Sequence, residues 1–144
     1  MTNRALKTCV FYCSNNLEAN QLAGLGRGQV DDTIKTISLP CSGKVDVPYL
    51  MKAFETGADG VVIVTCQKNE CRHFEGNLRA HKRAEAVESL LEEIGVAAGR
   101  MAVFECRKQD AGPALDEIKQ FIERVRNLPP MNAHIVPPIN RNAQ

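Results

Sequence analysis

Gly60 to Thr65 reads Gly-Val-Val-Ile-Val-Thr, and this β-branched run is the strongest strand signal in the chain. A strand with one face in water alternates apolar and polar residues, whereas this run is apolar almost throughout. It therefore predicts a strand that is buried on both faces. Helices packed on both sides of a parallel sheet bury a strand in this way, so the run favours an α/β fold.

Three more strands and four helices are predicted on either side of this run. The strands are Leu6 to Tyr12, Thr33 to Leu39 and Arg100 to Glu105, and the helices are Leu17 to Ala23, Val47 to Thr56, Asn77 to Ile94 and Ala114 to Leu128. Gly57 is expected to close the second helix as a left-handed cap, and Gly95 is expected to end the third. Strands that alternate with helices through short connections predict right-handed crossovers. The pattern is typical of a flavodoxin-like four-stranded parallel sheet of order 2-1-3-4 with helices on both faces.

The length of 144 residues and the hydrophobic content of 44% suit one domain with a substantial core. We expect that domain to span residues 1–128. Residues 129–144 form a tail with four prolines in two pairs and little amphipathic pattern. This tail is predicted to be extended, and to become ordered only where it docks on a partner.

The charges and the start of the chain exclude several classes of protein. Eighteen Lys and Arg residues face 17 Asp and Glu residues, so the net charge of +1 produces no long-range attraction to nucleic acid or to an acidic membrane. No apolar run is long enough to span a bilayer, and the start lacks the pattern of a secretory signal. A cytoplasmic protein is therefore expected. In a reducing cytosol, six cysteines are more often metal ligands or redox groups than disulfides.

Four of the cysteines are predicted to meet at one edge of the sheet. Cys13 follows the first strand, Cys41 follows the second, Cys66 ends the third, and Cys71 lies in the next loop. Open parallel sheets bind their ligands at the edge where the strands end, because the loops leaving those ends converge. Four thiolates from converging loops are typical of an iron–sulfur site.

The two remaining cysteines have weaker claims on this site. Cys106 follows the fourth strand and reaches the same edge, so it is the reserve ligand should one of the four not bind. Cys9 lies within the first strand and is interpreted as a buried core thiol. The four-residue gap between Cys66 and Cys71 also occurs in plant-type ferredoxins, although by itself it is a weak signal.

Two other interpretations of the cysteines remain open at this point. Cys66 to Arg72 reads Cys-x5-Arg between a strand and a helix, as in the oxyanion-binding loops of phosphotyrosine phosphatases and arsenate reductases, but Glu70 would bring a negative charge into that loop. Alternatively, the cysteines hold a structural zinc ion in an interaction module. The chain lacks the Cys-x2-Cys knuckles that structural zinc sites favour.

Several motifs also resemble those of a known family. They are Cys41-Ser-Gly-Lys-Val-Asp46, Ala53-Phe-Glu-Thr-Gly-Ala-Asp-Gly-Val61, and Cys66-x4-Cys71-x4-Gly76-Asn77 followed by Arg79 and Arg83. On these residues, and over most of positions 13–128, the chain resembles the methyl-viologen-reducing hydrogenase delta subunit family, small iron–sulfur proteins associated with heterodisulfide-reductase complexes. That family usually has Cys-Asn-Trp-Cys after its first strand, where this chain has Cys13-Ser-Asn-Asn16, and a His where this chain has Gln67.

The resemblance implies a two-iron two-sulfur (2Fe-2S) cluster, with Cys13, Cys41, Cys66 and Cys71 as the matching cysteines. The cluster would relay single electrons between a hydrogenase-like or other oxidoreductase and the flavin subunit of a heterodisulfide-reductase-like complex. The domain itself would then catalyse no bond chemistry. Its task would be to hold the cluster near the surface and to set its reduction potential.

The charge order along the third predicted helix supports an anionic neighbour independently. Basic residues stand near its start and acidic residues near its end, which is the reverse of what the helix dipole favours. An anion close to the amino end would remove that conflict. Arg72, Arg79 and Arg83 are therefore predicted to raise the potential of the cluster or to dock an acidic partner, unless they form only a solvated basic face.

Overall fold

Four parallel strands form the sheet of this protein, for which a computed structural model describes residues 5–14, 22, 32–39, 45–66, 76–96, 98–107 and 110–129. The strands are β1 (Lys7–Cys13), β2 (Thr33–Leu39), β3 (Gly60–Cys66) and β4 (Met101–Cys106). Their order is β2-β1-β3-β4, and each neighbouring pair is parallel. The predicted α/β fold and strand order are confirmed.

The described residues also contain three helices, α1 (Val47–Glu55), α2 (Gly76–Glu93) and α3 (Gly112–Arg126). The carboxylate of Asp46 caps α1 by accepting the Tyr49 N–H at 3.1 Å, and Gly57 follows its end with a φ of 113°. Of the predicted helix 17–23, only Leu22 lies within the described residues, and it is buried. None of the helices in the described ranges combines the length and the apolarity needed to cross a membrane.

The helices cover both faces of the sheet, which explains why all seven residues of β3 are buried. Helices α1 and α2 pack on the face that carries Phe11 and Ile63. Helix α3 packs on the opposite face, where Ile118 and Phe121 meet Val62. The continuous apolar run at 60–65 is thus matched by two separate cores, one on each side of the strand.

Gly60 allows α3 to approach the sheet closely. A Cβ at this position would lie 2.9 Å from Cε2 of Phe121 and 3.2 Å from Cγ2 of Val125. Such distances are shorter than van der Waals contact between carbon atoms. The first residue of β3 must therefore be glycine for the aromatic ring of Phe121 to occupy its place.

An ion pair joins the end of α3 to the start of β2. Arg126 donates from Nη2 to Oδ2 of Asp32 at 2.5 Å, and both side chains are 9% exposed. The Leu6 N–H donates to Oδ1 of the same carboxylate at 2.9 Å. Burial alone would raise the pKa of Asp32, but the hydrogen bonds and the Arg126 charge outweigh burial and hold the pKa below its ordinary 3.8.

A fully buried arginine fixes the last described residue of the chain. Arg100, just before β4, donates from Nη1 to the Asp59 carbonyl at 2.9 Å and from Nη2 to the Pro129 carbonyl. Asp59 immediately precedes β3, so Pro129 lies at the edge of the sheet where the strands begin. The rest of the predicted extended tail, residues 130–144, lies outside the described residues.

Candidate metal centre

Three neighbouring strands each end on a cysteine. Cys13 is the last residue of β1, Cys66 of β3 and Cys106 of β4. Their relative exposures are 2%, 2% and 1%. The parallel topology therefore brings three buried thiols to the carboxyl edge of the sheet, the edge at which sequence reasoning placed the site.

Two of these thiols are in contact. The sulfur atoms of Cys13 and Cys66 lie 3.3 Å apart although 53 residues separate them in the chain. The last ladder pair between β1 and β3 is Tyr12 with Val64, so Cys66 stands one residue beyond the position opposite Cys13. Side chains one residue out of register leave opposite faces of a sheet, and the two thiols meet because both lie where the strands end.

Cys106 occupies a different environment. It is the ladder partner of Cys66, but its thiol donates to the carbonyl of Arg107 at 3.4 Å, and it belongs to the core beneath α3. Cys13 and Cys66 are also buried, at the edge of the sheet. Within the described ranges, no three His, Cys, Asp or Glu residues are grouped so that they could hold a metal ion. The reserve role of Cys106 stays a prediction.

The other predicted ligands, Cys41 and Cys71, lie outside the described residues, as does Arg72. Both sides of the segment that carries Cys41 are nevertheless held. Leu39, two residues before Cys41, is the ladder partner of Cys13, and its carbonyl accepts the Ser14 N–H at 2.8 Å. Val45, four residues after Cys41, is fully buried.

Arg83 holds the second of these anchor points. It is half-buried on α2, and its Nη1 donates to the Val45 carbonyl at 2.6 Å across 38 residues of sequence. Sequence reasoning missed this contact, because the charge order of the helix does not reveal a backbone acceptor on another segment. The proposed roles of Arg83 and of the exposed Arg79 toward a cluster or a partner stay predictions.

Cys9 lies on the same strand as Cys13 but is an inert thiol. It is 5% exposed within the core beneath α1 and α2. Burial raises the pKa of Cys9 to about 11, and the nearby charge of Lys35 offsets only part of that rise. Its thiol is therefore protonated at neutral pH, in agreement with its interpretation as a core residue.

The Cys13–Cys66 pair can supply two of the four ligands of a tetrahedral metal site. Thiolates are soft ligands that select iron–sulfur clusters, zinc or copper(I) over hard cations. Buried thiols already in contact need little rearrangement to bind one metal, and a tetrahedral site requires two further ligands. The pair therefore suits a metal or cluster whose remaining ligands come from neighbouring loops.

Comparison with known proteins confirms the resemblance seen in the motifs. The family model of the methyl-viologen-reducing hydrogenase delta subunit matches residues 8–129. The chain is 36% identical over 112 residues to the iron-sulfur subunit of the vhu F420-non-reducing hydrogenase of Methanocaldococcus jannaschii, covering 78% of this chain and 84% of that protein. The corresponding vhu protein from Methanococcus maripaludis is 35% identical over the same length and coverage.

A longer protein contains a related segment. The chain is 24% identical over 127 residues to one subunit of the Ferredoxin:CoB-CoM heterodisulfide reductase of Methanosarcina mazei, covering 88% of this chain but 15% of that protein. The family match begins at Thr8, the second residue of β1, and ends after α3, so it covers nearly all of the described fold. The chain belongs to the methyl-viologen-reducing hydrogenase delta subunit family.

Proposed function

We propose that this chain is an electron-transfer subunit that holds one 2Fe-2S cluster on Cys13, Cys41, Cys66 and Cys71. The observation that carries this proposal is the 3.3 Å contact between the Cys13 and Cys66 thiols at the carboxyl edge of the sheet. Two buried thiols that meet at the ends of neighbouring strands are suited to bind one metal ion or cluster.

The proposal takes Cys41 as the third ligand because of its short distance along the chain from a described strand end. Cys41 follows Leu39 by two residues, and two residues of extended chain span at most about 7 Å. Leu39 is the ladder partner of Cys13, which supports this choice. Cys71, five residues after Cys66, supplies the fourth thiolate in this proposal.

The relatives support a role in electron transfer. Several are named as iron-sulfur subunits of a hydrogenase, and others as subunits of heterodisulfide reductases. We infer that this chain passes electrons between a hydrogenase-like or other oxidoreductase and the flavin subunit of a heterodisulfide-reductase-like complex in the cytoplasm. The cluster supplies one-electron exchange, and the protein binds, shields and positions it.

The amino end of α2 favours a negative charge nearby. Its first turn has no acidic residue and its last turn no basic one, so the charges of the helix do not offset its dipole. The helix starts five residues after Cys71, which would place its positive end and Arg79 near a cluster that is anionic on four thiolates. In this account Arg72, Arg79 and Arg83 raise the reduction potential of the cluster or dock an acidic partner.

The tail is suited to contact a partner at a separate place. The Arg100–Pro129 hydrogen bond starts the tail at the edge where the strands begin, whereas Cys13 and Cys66 lie where they end. A seven-residue strand separates these edges by roughly 20 Å. We infer that the tail leaves the domain at the edge opposite the cysteines and is available there to dock on a neighbouring protein.

Spectroscopy of cysteine variants tests this function. Anaerobically purified protein should show the visible absorption and, once reduced, the electron paramagnetic resonance (EPR) signal of a 2Fe-2S cluster. Cys13→Ser, Cys41→Ser, Cys66→Ser and Cys71→Ser should each change or abolish that signal. Cys9→Ala is the matched control, because it removes a buried thiol from the same strand as Cys13 and should leave the spectrum unchanged.

Phosphatase and arsenate reductase assays of the same samples test the Cys-x5-Arg interpretation. Under the proposed function none of the samples has either activity. Colourless protein with either activity, lost when Cys66 or Arg72 is replaced, would show that the chain performs oxyanion chemistry and not electron transfer.

A further inference from the structure

We propose that a cleft between α1 and the ladder of β1 with β2 binds a small organic anion, a molecule with an anionic head group and an apolar body. This inference goes beyond electron transfer and does not depend on a cluster. The cleft lies on the α1 face of the sheet, and neither Cys13 nor Cys66 lines it. Its volume of about 340 Å³ falls within the range of small-molecule binding sites.

A strand ladder and a helix face form the two sides of the cleft. Its floor consists of three successive ladder pairs of β1 and β2, which are Lys7–Thr33, Cys9–Lys35 and Phe11–Ile37. Residues two apart on a strand share a face of the sheet, so these six side chains point to the same side. The wall is one face of α1, whose lining residues follow helical spacing: Tyr49, Lys52, Ala53 and Thr56.

The cleft is open because α1 packs on β3 and beside α2 and not over β2. Lys35 on β2 is exposed, and Ile37 is only half-buried. Leu22, the described residue of the chain between β1 and β2, is buried in the core beneath α3, on the opposite face of the sheet. Tyr49 is 47% exposed although its ring packs edge-on against Phe11. The apolar body of a ligand would remove this surface from water.

Three lysines give the cleft a positive charge. Lys7 comes from β1, Lys35 from β2 and Lys52 from α1, and none of the described residues that line the cleft is acidic. Burial raises the pKa of Cys9 and the charge of Lys35 offsets part of that rise, so the Lys35 ammonium lies close to the floor. Lysine ammonium groups bind phosphate and similar anionic groups as point charges.

The dipole of α1 accounts for only some of these lysines. The carboxyl end of a helix favours positive charge, which explains Lys52 in the last turn of α1 and Lys7 beside Gly57. Lys35 is on the edge strand and not at the helix end. It is therefore the lysine whose loss separates ligand binding from stabilisation of the helix.

The two ends of the cleft differ in polarity. Where the strands begin, the Lys7 ammonium lies beside Gly57, next to the hydroxyl-bearing Thr56. Four residues further along β1, the rings of Phe11 and Tyr49 have their centroids 5.4 Å apart. Four residues of strand span roughly 13 Å. The anionic head is thus placed at the lysines and the apolar body at the aromatic rings.

Calorimetric titration of the full chain with naphthylphosphonate tests the proposal. This probe joins a dianionic head to a flat apolar body and is not hydrolysed. The protein should bind one equivalent, and added NaCl should weaken the binding. Inorganic phosphate and naphthol each lack one of the two parts, and each should bind at least about tenfold more weakly.

Three variants locate the binding. Lys35→Gln removes one exposed ammonium group and should weaken binding of the probe by about three- to tenfold. Lys119→Gln is the matched control, because Lys119 is exposed on α3, on the opposite face, and its loss changes the net charge equally. Ala53→Leu keeps every charge but fills part of the cleft from the helix side, and should weaken binding at least as much as Lys35→Gln.

The possible outcomes decide the proposal. No binding of the probe by the unmodified protein, or equal weakening by Lys35→Gln and Lys119→Gln, would overturn it. A glutamate-rich peptide that binds through Lys35 in preference to the probe would also overturn it, because the cleft would then be a docking site for an acidic protein segment. The Cys13→Ser/Cys66→Ser variant should bind the probe as the unmodified protein does, so loss of the cluster leaves this inference standing.

Discussion

Replacing Arg83 by glutamine should loosen the segment that carries Cys41. Arg83 is half-buried on α2, and its guanidinium donates to the Val45 carbonyl at 2.6 Å, the short distance typical of a charge-assisted hydrogen bond. Glutamine is too short to span the same gap from the helix. The carbonyl of Val45, a fully buried residue, would then lose this donor. The segment 40–44 would lose the hydrogen bond that holds the residue on its carboxyl side.

The structure sets the size of this effect. Hydrogen bonds to charged groups contribute about 1.5–3 kcal/mol, and the partial exposure of Arg83 places this one at or below the lower limit, about 1–2 kcal/mol. The free energy of unfolding, measured by urea denaturation of cluster-free protein, should fall by that amount. A loss of that size changes an equilibrium constant about 5- to 30-fold, so the cluster should also lose iron faster to a chelator.

Lys82→Gln is the matched control for this substitution. Lys82 is exposed on the same helix, and its replacement removes the same charge without touching Val45. Arg83→Lys retains the charge and one donor group, and should recover part of the lost stability. If Arg83→Gln and Lys82→Gln showed the same unfolding free energy and the same rate of iron loss, the Arg83–Val45 hydrogen bond would not be what holds the segment.

Three further predictions concern the fold. Because Arg126 and its neighbours lower the pKa of Asp32 below 3.8, this carboxylate stabilises the protein above that pH, and the stabilisation is lost as the pH falls through the lowered value. Asp32→Asn should therefore reduce the free energy of unfolding at pH 7 and make that free energy fall less steeply as the pH is lowered. Urea denaturation at several pH values measures both effects, and an unchanged dependence on pH in acid would contradict this. Glu88 is in the opposite situation, since burial, helped by Glu92 and only partly offset by the Gly99 N–H, raises its pKa above 4.5. The protonated form of Glu88 is the stable one in the folded protein, and its contribution to stability is lost as the pH rises through the raised pKa. Glu88→Gln should therefore raise the thermal midpoint at neutral pH but not below about pH 4. A lower midpoint at neutral pH would show that the charge is stabilising. Gly60→Ala should destabilise the protein by about 1–3 kcal/mol because the new methyl group meets the Phe121 ring, and the Phe121→Leu background should reduce that cost; equal costs in both backgrounds would rule out the clash.

The order of the strands could be predicted because local signals agreed with one another. The apolar run at 60–65 required cover on both faces, and short connections between strands and helices left one simple parallel order. The ends of α1 and α2 followed from glycines, since Gly57 and Gly95 both have positive φ values. Where a boundary depended on a residue of this kind, the expected and observed bounds agree closely.

The site could be predicted only in part. Parallel topology places every residue that follows a strand at one edge, which was enough to bring Cys13 and Cys66 to the same place. Their contact depends on the register of β1 against β3, and no residue pattern specifies that register. The Arg83–Val45 hydrogen bond was beyond sequence reasoning for the same reason, because packing between α2 and a distant segment determines it.

Iron and acid-labile sulfide contents of protein purified without oxygen show whether the cysteine edge holds a cluster. Two irons and two sulfides per chain are expected, and both should be lost when Cys13 and Cys66 are replaced together by serine. Protein that contains neither iron nor sulfide, or a double variant that keeps both in full, would contradict the proposed cluster.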